Sequence, residues 1–172
     1  MALTVEDGTG LANADSYISL VDAETYVTAY EPEGLATWTA ALDPAKEVAL
    51  RKATQYLDTT YVNRWKGARI LATMSLDWPR QNAFAEGAEL ANDAVPVRLE
   101  QATVEAAVRF LSGELTADVA AGTGAVVSER KELGPLKKST TYSGSAPTQK
   151  RVPKLEALLA SLTHASNRIS LA

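Results

Sequence analysis

Apolar residues along this chain recur mostly at helical spacing. Leu20, Ala23, Val27 and Tyr30 fall on one face behind Ser19, whose hydroxyl can accept an orphan N–H of a first helical turn. Asp22, three residues on, is a short-armed capping partner at the positive end of the dipole. The pattern predicts a helix that Pro32 and Gly34 end. A second helix begins with Asp43 as cap and Pro44 at the first helical position, where its missing N–H costs nothing. Ala49, Leu50, Ala53, Leu57 and Tyr61 form its stripe, while Thr59, Thr60, Val62 and Asn63 blur its far end. A third helix is expected from Pro96 to about Ala120. Val97, Val104, Val108, Leu111 and Leu115 share one stripe there, and Leu99, Ala102, Ala106 and Phe110 widen it. A helix apolar over two faces belongs at the centre of a fold. Leu155, Leu158, Leu159 and Leu162 mark a short final helix after Pro153.

Three stretches lack this period. Residues 1–18 are rich in turn formers, among them Gly8-Thr9-Gly10. Residues 64–95 hold Gly67, Pro79, Gly87 and Asn92-Asp93, and so long a loop needs either a function or anchors of its own, for which Trp65, Trp78 and Phe84 are suited. Residues 125–152 read as extended, punctuated by Gly134-Pro135, Gly144 and Pro147: a β-hairpin, or an arm that orders against a partner. The expected fold is mainly α, a small bundle of about four helices with an extended arm or β-hairpin near residues 125–152. One domain spans 1–172: a lead (1–18), a helical core (19–120) containing the aromatic loop 64–95, the arm or hairpin, and a C-terminal helix and tail (153–172).

At 172 residues, 46 % hydrophobic and 22 % charged, the chain can bury a core unaided. No run approaches the roughly 18 apolar residues of a membrane helix, and the first residues lack the basic and apolar parts of a secretion signal. Without cysteine there is no disulfide and no thiolate zinc site. These features predict a protein made in a reducing cytoplasm, with no membrane partner. The net charge of −4 is unevenly spread, at −8 over residues 1–50 and +5 over residues 128–154. Such asymmetry suits contact with a polyanion or head-to-tail packing of copies, or simply two solvated surfaces.

Candidate chemistry is sparse. His164, the sole histidine, has no orienting carboxylate nearby in sequence, and Glu100 and Glu105 read as solvated carboxylates on a helix surface. No nucleotide-binding glycine loop, metal-ligand spacing or nucleophile elbow is present. The expectation is a non-enzyme with no cofactor and no metal. One constellation stands out: Tyr61, Arg64, Trp65, Lys66, Arg69, Trp78 and Arg80 interleave rings with cations, as single-strand binders do. Tryptophans more often pin a loop to the core, and that reading is preferred here. The segment 130–154 holds seven cations with Tyr142 as its one aromatic, which suits phosphate or an acidic partner better than base stacking.

Several segments together resemble a known family. They are Gly8-Thr9-Gly10 through Asn13-Ala14-Asp15-Ser16-Tyr17, Leu50-Arg51-Lys52-Ala53 with Tyr56-Leu57-Asp58, Arg64-Trp65-Lys66-Gly67 and Leu76-Asp77-Trp78-Pro79-Arg80. Pro96 opening an alanine-rich helix, Gly134-Pro135-Leu136 and the proline-led leucine helix continue the match. This order resembles phage and prophage proteins labelled DnaT-like single-stranded DNA-binding proteins, and it looks like the head–tail connector (adaptor) class of tailed bacteriophages. That resemblance implies a structural protein of the virion neck, a homo-oligomeric ring of about twelve copies beneath the portal. Its partners would be the portal protein, the next neck or tail-completion protein, and double-stranded DNA touched non-specifically in the channel. It would place Lys150, Arg151, Lys154, Leu158 and Arg168 at portal or neighbour contacts and Arg64, Lys66, Lys137 and Lys138 toward DNA, with Trp65 and Trp78 as loop anchors. The alternative is a primosome-like single-stranded DNA-binding protein.

Overall fold

The computed structural model describes residues 3–113, 115, 126–132, 137–142 and 152–164, with the backbone alone in 126–132 and 137–142. The chain is mainly helical with short antiparallel strand pairs. It divides into two compact units, 1–115 together with 153–172, and 116–152.

In the larger unit, α1 (Leu20–Tyr30) starts as its sequence predicts: Ser19 Oγ accepts from the Asp22 amide at 3.1 Å. It ends at Glu31, whose φ of 43° turns the chain out of the helix just before Pro32. The periodicity gave no sign of α2 (Leu35–Ala40), a six-residue helix entered through Gly34 at φ 98°. Its purpose is visible in Trp38, which is fully buried. α3 (Asp43–Tyr61) is capped by Leu42 rather than Asp43, so Asp43 becomes the first helical residue and Pro44 follows. α3 buries the expected stripe and adds Lys46, whose ammonium reaches Glu24 at 2.6 Å.

α4 (Val97–Leu111) is the central element, packed against α1, α2, α3 and α5 (Pro153–Leu159). Leu99, Ala102, Val104, Ala106, Ala107 and Val108 are all sealed from solvent. It stops about nine residues short of the expected Ala120, because Ser112 caps back to Val108 and Gly113 turns at φ 76°. Residues 116–120 of that expectation lie outside the described residues. The irregular stretch 64–95 contains two small antiparallel pairs, β1 (Ala68–Arg69) with β2 (Arg80–Gln81) and β3 (Phe84–Ala85) with β4 (Ala88–Glu89). In the smaller unit, β5 (Val126–Glu132) and β6 (Lys137–Tyr142) form a hairpin, the first of the two forms expected for this segment.

The lead is a knot around one carboxylate. Glu6, buried, accepts the amides of Gly8 at 3.0 Å, Gly10 at 2.8 Å and Leu11 at 2.9 Å. Gly8 sits at φ 99°, and a Cβ there would collide with the Asp93 carbonyl. Gly8→Ala is therefore expected to lower stability by about 2–4 kcal/mol, summing backbone strain and overpacking. Urea unfolding monitored by tryptophan fluorescence measures it.

Candidate nucleic-acid interface

The aromatic-basic constellation is a core structure. Trp65 is 4 % exposed and Trp78 is 0 % exposed, with perpendicular rings 6.0 Å apart and Tyr61 packed on Trp65 at 5.5 Å. No face of either indole is open to a base. The segment after α5 lies along this knot: Trp65 bridges Thr163, the Lys66 amide donates to Leu162 O at 3.0 Å, and the His164 amide donates to Arg64 O at 2.7 Å.

Three of the interleaved cations, Arg80, Lys66 and Arg69, donate to backbone carbonyls. Arg80 donates through Nε to Lys66 O at 2.8 Å, through Nη1 to Asp77 O at 3.1 Å and through Nη2 to Gly67 O at 2.9 Å. Lys66 Nζ donates to Ser161 O at 2.8 Å and Phe84 O at 3.1 Å. Arg69 binds Met74 O, and the Arg64 guanidinium lies 4.9 Å from the centroid of the Tyr61 ring. A two-residue strand pair has little holding power of its own, so these charged donors do the fastening. Of the residues expected to face DNA, Lys66 thus belongs to a fastening for loop 64–95, and Arg64 packs its guanidinium on the Tyr61 ring.

Beside this knot the Tyr17 hydroxyl donates to Asp58 Oδ1 at 2.5 Å and accepts from the Asp77 and Trp78 amides at 3.1 and 3.3 Å. Asp58 Oδ2 takes the Asp77 amide at 3.2 Å. Partial burial, with the Asp77 charge adding to it, pushes the Asp58 carboxyl up to about 7 against the Tyr17 hydrogen bond. The Tyr17 phenol is likewise driven well above its ordinary value, by burial and by Asp58.

The positions assigned to a portal or neighbour contact are used internally where they can be followed. Lys154 Nζ reaches Glu105 Oε1 at 2.5 Å, tying α5 to α4. Glu105 is 0 % exposed, so the solvated carboxylate expected there is instead a buried hub. It also receives Arg109 at 2.8 Å and the Tyr26 hydroxyl at 3.0 Å. Burial pushes its carboxyl up, but the hydrogen bonds from Lys154, Arg109 and Tyr26 outweigh that and leave it below the ordinary value. The sequence signal for this was the helical spacing of Glu105 and Arg109 among Ala102, Val104, Ala106, Ala107 and Val108. Leu158 is half-buried. Lys150, Arg151 and Arg168 lie outside the described residues.

Lys137 and Lys138 fall on β6, and their ladder brings in cations not named with them. The register sets Lys131 opposite Lys138, Glu132 opposite Lys137 and Arg130 opposite Ser139. Like charges at directly opposed ladder positions repel, and a shared polyanion relieves that repulsion. Arg130 and Lys131 were missed as partners because pairing depends on the turn, which the sequence left open between hairpin and arm.

Among the described residues, no group of three or more His, Cys, Asp or Glu is placed to hold a metal ion, and no helix is long and apolar enough to cross a membrane.

The family model described as "Putative DnaT-like ssDNA binding protein" matches residues 1–172. The chain belongs to that DnaT-like family. No curated protein matches it, and no solved structure does. The match overturns the head–tail connector reading of the resemblance. The family description names single-stranded DNA, and nothing supports a virion neck protein, a ring of about twelve copies, a portal or next neck partner, or double-stranded DNA in a channel.

Proposed function

We propose that the protein binds single-stranded DNA, with the β5–β6 hairpin as its electrostatic contact and no catalytic step. The observation that carries this is the ladder register, which gathers Arg130, Lys131, Lys137 and Lys138 onto two short paired strands and opposes Lys131 to Lys138. The family description supports the ligand class. Charge is also partitioned to match, since the unit 116–152 has a net charge of +3 and the remainder of the chain −7. A phosphate backbone is therefore drawn to one unit and repelled by the other. Tyr142, the one aromatic of this unit, is the register partner of Val126, and base stacking calls for an aromatic of this kind.

The test is fluorescence anisotropy of a labelled oligo-dT across a potassium chloride series. Replacing Arg130, Lys131, Lys137 and Lys138 together by alanine is expected to reduce the slope of log affinity against log salt by about 3, at ~0.7 per lost phosphate contact. The affinity at low salt should fall at least a hundredfold. An unchanged slope, with the melting temperature of the larger unit preserved, would remove the hairpin as the binding site.

A further inference from the structure

α1 has two apolar faces, and only one of them is covered. Ala23 and Val27 turn into the core and are sealed from solvent. Val21, Thr25, Thr28 and Ala29 follow the i, i+4, i+7, i+8 spacing of a second stripe, on the side that meets solvent. Val21 is 74 % exposed. The threonines add to the apolar character of this face. Thr25 Oγ1 donates to Val21 O at 3.0 Å, and Thr28 Oγ1 donates to Glu24 O at 2.8 Å. Each hydroxyl is turned back on its own helix, so the face presents methyl groups while its donors are already spent. The four residues and Glu24 line one shallow depression of the surface.

The stripe is bordered by acid. Asp22 and Glu24 flank it on opposite sides, as the helical turn places them. Residues 19–48 hold six carboxylates, Asp22, Glu24, Glu31, Glu33, Asp43 and Glu47, against the single cation Lys46, a net charge of −5. The Lys46 ammonium is itself held between Glu24 at 2.6 Å and Asp43 at 3.8 Å.

An apolar stripe with an acidic border selects its occupant by charge. A phosphate backbone is repelled, and so is a bilayer rich in anionic lipid. A cationic amphipathic helix satisfies both parts: its apolar side covers the stripe while its lysines or arginines meet the carboxylates. No described helix of this chain carries a net positive charge, so that helix belongs to another protein. We propose that the outer face of α1, centred on Val21 and Thr25, is a docking surface for a basic amphipathic helix of a partner protein. The surface belongs to the larger unit, and it serves whether or not the β5–β6 hairpin takes DNA.

The probe is a synthetic leucine–lysine peptide with one apolar stripe, titrated into isotope-labelled protein and followed by amide chemical shifts. The shifts should concentrate at Val21, Glu24, Thr25, Thr28 and Ala29. The same peptide with glutamate in place of every lysine should produce none. In the double variant Val21→Ser, Thr25→Ser the charge is unchanged and only apolar surface is lost. Its affinity for the leucine–lysine peptide should fall about tenfold, the worth of burying one branched apolar side chain. Shifts scattered over the acidic surface without a maximum on α1, equal binding of the glutamate peptide, or undiminished affinity in the double variant overturns the docking surface. A dimer of the free protein in sedimentation, dissociated by the same two substitutions, overturns it as well, because the occupant is then a second copy. Should the double variant fail to fold, the shift map and the glutamate peptide decide by themselves.

Discussion

Trp78→Ala is expected to remove about 3–5 kcal/mol of stability, the range for a large aromatic lost from a packed core. The indole is fully enclosed, stacks edge-on against Trp65 at 6.0 Å, and rides on a backbone amide fixed by the Tyr17 hydroxyl. Truncation empties that space, and Arg80, two residues on, cannot by itself keep the loop in place. A domain of this size has roughly 5–15 kcal/mol in hand, so the variant should be marginal at 37 °C. Urea unfolding should show a much lower midpoint with an unchanged slope against denaturant. The same variant discriminates between two uses of the ring. At a temperature where it remains folded, oligo-dT affinity and its salt dependence should match wild type. A normal midpoint with lost affinity would mean that Trp78 stacks on bases after all.

Glu105→Ala should cost a comparable amount, about 3–5 kcal/mol, for a different reason. It strips the buried acceptor from Arg109, Lys154 and Tyr26 at once, and removing one partner of a buried ion pair leaves the others uncompensated. Glu105→Gln keeps the volume and an acceptor oxygen and should fall between the two. With the Glu105 carboxyl held below its ordinary value, its contribution is present at neutral pH and is lost as pH falls through that lowered value. Thermal melts between pH 2 and 7 should show wild type losing stability on the acid side more steeply than Glu105→Gln. Parallel curves for the two proteins would mean that the hub contributes nothing through its charge.

Local rules made several elements legible and left others hidden. Ser19 and Pro44 mark helix starts because capping chemistry acts over three or four residues, and the leucines after Pro153 mark a helix because burial follows the helical period. α2 escaped notice because six residues carry less than two turns of period and Gly34 offers no side-chain cap. The end of α4 was overestimated because Leu115 extends the apolar pattern while Gly113 breaks the backbone first. Loop 64–95 looked structureless since its order comes from cations donating to distant carbonyls, as Lys66 does to Ser161. The candidate site was legible in charge and illegible in pairing.

The residues that carried the family resemblance explain why its functional reading went astray. Tyr17, Asp58, Trp65, Trp78 and Arg80 are each engaged in holding the fold together. Such residues specify an architecture and say nothing of its partner. The hairpin cations, by contrast, sit in a segment whose meaning depends on register.

The basic unit is an insertion: the chain leaves the core after α4 and re-enters it at α5, and these two helices pack together. Its ends are thus pinned to one place by contacts it does not make itself. Closing a loop of such length is entropically cheap to vary, since each doubling adds only about 0.6 kcal/mol. The segment between Ser112 and Pro153 can therefore lengthen, shorten or be exchanged wholesale while the helices keep their register. The stretch proposed to meet DNA is thus the one whose exchange disturbs the helices least, and a graft of one hairpin for another is expected to change ligand preference while the body stays the same.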